Sequence, residues 1–72
     1  MYTYTVTHDT DDNTYSHVIQ TNTKIMEAFY GRGDMVEDPN HLKIIKELGI
    51  EFNPERGEYL SIYLTELIVM DF

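Results

Sequence analysis

Apolar and polar residues alternate from the first positions of the chain. Tyr2, Tyr4, Val6 and His8 occupy one set, and Thr3, Thr5 and Thr7 the other. A period of two, in residues that favour extended backbone, predicts a strand. Thr14–Thr21 (TYSHVIQT) is again rich in aromatic, β-branched and hydroxyl side chains, and Asp9–Asn13 between them holds the residue types that reverse a chain. The two segments are expected to form a β-hairpin.

The period then changes. Asn22 or Thr23 would cap a short helix over TKIMEAFY, with Ile25, Met26 and Phe29 on one face and Gly31 at its stop. GRGDMVED reads as a charged loop. A second helix carries fuller signals: Asp38 as N-cap, Pro39 at the first helical position and Gly49 just past the end. Leu42, Ile45 and Leu48 recur every three residues, with Ile44 widening the stripe. Lys43 and Lys46 lie toward the end where the helix dipole favours cations. Ile50 suits the apolar contact that accompanies a helix-ending glycine.

The last segment fits two patterns. As a strand, EYLSIYLTELIVMDF places Leu60, Ile62, Leu64, Ile68 and Met70 on one face, with Glu66 as the exception. As a helix started by Asn53 and Pro54, it offers a stripe of Tyr59, Leu60, Tyr63, Leu64, Leu67 and Ile68. Its Ile, Val, Tyr and Thr content favours the strand. Fifteen extended residues would reach roughly 50 Å, so a break is expected near Thr65–Glu66, with Ile50–Phe52 pairing back across the NPERG turn. The fold class expected is α+β: a small antiparallel sheet, built from the N-terminal hairpin and a C-terminal strand or hairpin, packed on one or two short helices. Residues 1–72 read as a single domain.

Composition narrows this further. A chain of 72 residues buries only about 60% of its unfolded surface, leaving a marginal core with little room for an internal active site. There is no cysteine, so neither disulfides nor thiolate metal sites supplement that core. MYTYTVTH lacks the basic and apolar regions of a signal peptide, and the longest apolar stretch is too short to span a bilayer. The expected location is the cytoplasm, that of a host cell if the gene is a phage's.

Candidate chemistry is sparse. Asp9, Asp11 and Asn13 match the first positions of a calcium loop, but Thr14 stands where glycine is required and Gln20 where glutamate is. A tight hairpin would set His17 opposite Tyr4 or Thr5, three or four residues from His8, which is too far for one transition metal. Both histidines then read as partly exposed strand residues, and His41, in the first turn of its helix, as a surface residue. The GRGD of residues 31–34 spells an adhesion tripeptide without any sign of export. Ser16 and Ser61 lie outside a nucleophile-elbow context, and no phosphate-binding glycine loop is present. No catalytic residue, metal site or cofactor is expected.

The charge balance is the strongest global feature of the chain. Thirteen acidic residues against five basic ones give a net charge of −8. Direct nucleic-acid binding and anionic membranes are disfavoured, because both require Lys and Arg. A basic protein surface is the natural complement. The acids fall in three clusters at expected connections: Asp9, Asp11 and Asp12; Asp34, Glu37 and Asp38; Glu51, Glu55 and Glu58. Merged into one patch, they would imitate DNA, which presents one negative charge per about 1.7 Å. Tyr15 and Tyr30 are candidate aromatic anchors beside them, with Tyr59 and Tyr63 as further interface tyrosines. In size and charge alone the chain resembles the small acidic inhibitors that phages and mobile elements direct against host defence or transcription, anti-CRISPR proteins among them; no motif carries the likeness. The expected function is a non-enzymatic inhibitor that occludes a basic, nucleic-acid-binding surface of a partner protein. The alternative is a structural or regulatory homodimer built on the apolar C-terminal segment, its acid serving only solubility.

Overall fold

The computed structural model describes residues 1–66, 70 and 71. Four strands form one antiparallel sheet in the order β2-β1-β4-β3, where β1 is Tyr2–Asp9, β2 Thr14–Thr21, β3 Ala28–Tyr30 and β4 Tyr59–Leu64. One α-helix, α1 (Pro39–Leu48), and a 3₁₀ turn (Pro54–Arg56) complete the α+β architecture. Among the described residues no helix is long and apolar enough to cross a membrane.

The hairpin forms as its alternation predicts. Thr10 donates its N–H to the Asn13 carbonyl at 2.8 Å, while Asn13 N–H bonds to the Thr10 hydroxyl, which leaves Asp11 and Asp12 at the apex. The closed loop sets His17 opposite Val6 rather than Tyr4 or Thr5, so the two histidines are closer than the sequence suggested. Tyr4, Val6 and His8 point inward as one row, and Leu60 and Ile62 of β4 lie beside them. With Ile25 and Ile44 the apolar members of these rows make the core, ringed by half-buried Ile19, Val36, Ile45, Leu48, Phe52 and Leu64.

The expected helix over TKIMEAFY does not form. Eight residues make a marginal helix in water, and two stronger interactions compete for its backbone. The Tyr4 hydroxyl takes the N–H of Ile25 at 2.6 Å and donates to its carbonyl at 2.8 Å. Ala28–Tyr30 then pairs with β4 as a short edge strand.

Helix α1 starts and stops where its punctuation indicates. Asp38 is extended (φ −63°, ψ 122°) and its carboxylate accepts the N–H groups of Asn40 and His41. Gly49 adopts the left-handed conformation (φ 66°), and Ile50 N–H bonds to the Ile45 carbonyl, closing the helix end. Its inward stripe is rotated from the expected one. His41 and Ile44 are buried and Ile45 and Leu48 half-buried, whereas Leu42 is exposed.

β4 ends at Leu64, at the predicted break, and Ile50–Phe52 lie outside any strand. The placement expected for Ile68 falls outside the described residues. Because β4 lies between β1 and β3, its edges are already used inside the molecule.

Candidate functional site

The pairing register places all three acidic connections at one end of the sheet. Asp9 faces Tyr59, and Tyr30 faces Leu60. The hairpin tip, the connection after Tyr30 and the turn before Tyr59 therefore leave the same end of the sheet. Gly33 N–H bonds to the Pro54 carbonyl at 3.3 Å and ties the second connection to the third. Asp34, Glu51 and Glu55 line one surface cavity there, floored by Val36, Ile45 and Phe52. Glu51 also lines a neighbouring cleft with Tyr15 and His17. The only cations in these connections are Arg32 and Arg56. Lys24 follows β2 at the opposite end, and Lys43 lines a cleft there with Thr21, Asn22 and Thr23.

The acids differ in how free they are. Asp11, Asp12, Glu37, Glu51 and Glu55 are exposed. Asp9 is half-buried and accepts the Thr14 hydroxyl at 2.6 Å. Asp34 accepts Gly31 N–H at 2.8 Å, which holds the loop onto the sheet end, and Asp38 caps α1. A negative field is nonetheless felt locally. The Tyr30 phenol is pushed above its ordinary value of 10.0, first by burial and then by the charges of Asp38, Asp34 and Glu37.

Two of the predicted binding residues are committed inside the molecule. Glu58 is buried, and its Oε1 lies 2.7 Å from His8 Nε2 while accepting Asn53 N–H at 3.1 Å. Tyr30 is half-buried, its hydroxyl 2.6 Å from His41 Nδ1. Tyr15 remains half-exposed, its ring 6.2 Å from that of His8.

His8 and His41 are both buried, contrary to the surface roles expected of them. Each is compensated by hydrogen bonds, as burial of a polar ring requires. His8 pairs with Glu58 and meets the Phe52 ring edge-on at 5.9 Å. His41 Nε2 lies 2.7 Å from the Met26 carbonyl. That carbonyl can only accept, so Nε2 carries a proton, and in the neutral ring Nδ1 accepts from Tyr30. Both burials had a signal in the sequence. His8 continues the Tyr4–Val6 row, and His41, Ile44, Ile45 and Leu48 follow a helical stripe as regular as the one built on Leu42. Among the described residues, no group of three or more His, Asp or Glu side chains is placed to hold a metal ion.

The Glu58 carboxyl is held below the ordinary carboxylate value of 4.5, chiefly by Asn53 N–H, then by the hydrogen bond from His8, with Arg56 adding and burial opposing. A depressed folded-state value contributes stability above about pH 4.5 that is lost as pH falls through the folded value. The urea midpoint of the native protein should therefore fall below about pH 4.5 more steeply than that of Glu58→Gln, and parallel acid limbs would remove Glu58 from the account.

No protein-family model, no curated protein and no solved structure matches the chain.

Proposed function

We propose that the protein is a non-enzymatic binder that uses the acidic end of its sheet to occlude a basic surface on a partner protein, a surface of the kind that holds nucleic acid. The observation that carries this is the convergence of the hairpin tip, the Gly31–Asp38 connection and the Asn53–Glu58 turn at one sheet end. Asp9, Asp11, Asp12, Asp34, Glu37 and Glu55 form the docking set, with half-exposed Tyr15 at its border. Clustered like charges present a field that steers a cationic partner. Size and charge extend the proposal to the inhibitors that phages and mobile elements aim at host defence or transcription proteins, acting in the host cytoplasm.

Affinity capture from host lysate at low salt, with identification of what elutes as salt is raised, supplies the partner. Association with that partner should then weaken steeply with ionic strength, because exposed charges are screened beyond roughly 8–10 Å at 0.10–0.15 M salt. Replacing Asp9, Asp11 and Asp12 together by Asn should slow association about tenfold or more, with dissociation less affected, and duplex DNA should compete for the same partner surface. Binding indifferent to salt and to the triple substitution would overturn the proposal.

A further inference from the structure

We infer that β2 is a pairing edge for a second copy of this chain, joined antiparallel about a two-fold axis at Val18. This rests on the sheet alone and not on the acidic end.

The two edges of the sheet are treated differently. β3 is only three residues long and is flanked by Glu27, whose carboxylate accepts Leu64 N–H at 2.9 Å, just beyond the last β3–β4 pair. That edge is short and plugged by a charged side chain, as edges protected from association are. β2 is eight residues long, and TYSHVIQT contains neither proline nor a charged Lys, Arg, Asp or Glu, although such charges make up 25% of the chain. Among the described residues no element lies along its outer side.

The register identifies the free backbone groups. Thr10 N–H bonds to the Asn13 carbonyl, so hydrogen-bonded pairs alternate from that point. Tyr15, His17, Ile19 and Thr21 turn their N–H and C=O toward β1. Thr3 provides the check: its carbonyl accepts from Thr65, on the β4 side, so Thr3 does not bond Gln20. Ser16, Val18 and Gln20 consequently present their N–H and C=O outward.

A second β2 satisfies these groups in a register where outward residues face outward residues. Centring it on Val18 pairs Val18 with itself and Ser16 with Gln20. Val18 is 69% exposed, on the face of the sheet opposite the buried Tyr4–Val6–His8 row, so the dyad removes an apolar side chain from water. On the helix side, half-buried His17 and Ile19 become neighbours across the dyad. Charge selects this orientation over a parallel one. Antiparallel pairing sends the two hairpin tips, with Asp11 and Asp12, to opposite ends of the joined sheet, whereas parallel pairing would place them side by side.

Sedimentation equilibrium over a concentration series, with amide exchange measured on the same samples, tests this. The expected result is a mass rising toward twice the 8.5 kDa of one chain, with the Ser16, Val18 and Gln20 amides gaining protection as the dimer fills. Val18→Pro deletes an outward N–H without touching a β1 bond, and Val18→Lys places charge on the dyad; each should raise the dissociation constant about tenfold or more. Val18→Lys leaves the backbone unchanged and decides the matter if the proline variant does not fold. A chain that stays monomeric at its solubility limit, or a dimer whose constant Val18→Lys leaves unchanged, overturns the inference.

Discussion

Removing a single oxygen by Tyr4→Phe is expected to cost about 2–4 kcal/mol, a large share of the roughly 4–11 kcal/mol that a domain of this length holds. Tyr4 is fully buried, and its hydroxyl both accepts Ile25 N–H and donates to the Ile25 carbonyl. Phenylalanine fills nearly the same volume, so little packing is lost. What is lost is the partner of two buried backbone groups, each left unsatisfied at about 1–3 kcal/mol. The midpoint of thermal unfolding should drop by roughly 10–25 °C. Val6→Ile, a small overpacking on the same row, is the comparison, because it changes volume and leaves the hydroxyl alone. A Tyr4→Phe variant within about 0.5 kcal/mol of the native protein would mean that Ile25 finds other partners and that the bridge does not hold residues 22–27 in place.

The same bridge shows where local sequence signals lose to tertiary ones. The hairpin, the Asp38–Pro39 start and the Gly49 stop were legible because each depends on residues close together in the chain, and the break after Leu64 because fifteen extended residues would outreach so small a domain. TKIMEAFY was misread because its helical spacing is weaker than two contacts made from far away. Tyr4 acts on Ile25 from 21 residues off, and β4 recruits Ala28–Tyr30 from 30 to 34 residues away. A short amphipathic pattern carries no record of a strand edge that forms later in the chain.

The acidic end was legible in part for the same reason. Its composition could be read directly, whereas convergence needed the strand order, and a β4 placed beside β1 could not be foreseen from periodicity. Burial of Glu58 likewise depends on His8, 50 residues earlier, being turned inward. Glu58 does continue the inward Leu60–Ile62 row at a period of two, which exposed Glu55 does not, but a carboxylate on that row reads as an exception until its partner is known. The acids of one cluster therefore differ in their bonding: Glu58 and Asp38 hold the loops from inside, Asp34 binds Gly31 N–H yet stays exposed, and Asp11, Asp12, Glu37 and Glu55 are exposed.

His41→Ala should destabilise the protein by about 2–4 kcal/mol, from a cavity under α1 together with two polar groups deprived of a partner. The ring is 2% exposed and joins three elements: α1 through its own backbone, the end of β3 through Tyr30, and the segment before β3 through the Met26 carbonyl. Its loss should also loosen the connection that carries Asp34 and Glu37, so under the proposed function affinity for the basic partner should fall further than with a control of equal instability such as Leu64→Ala, which lies at the other end of the sheet. A pH series isolates the Tyr30 side of the link. The raised phenol value means that the contribution of Tyr30 to stability is complete below about pH 10 and declines as pH rises through the folded value, since the unfolded chain ionises first. Tyr30→Phe should remove that alkaline decline while lowering stability at neutral pH through the unpaired Nδ1 of His41. If denaturant midpoints of native and Tyr30→Phe proteins stay parallel above pH 10, the phenol is not held neutral by burial and the neighbouring acids, and the lock between β3 and α1 is weaker than its geometry implies.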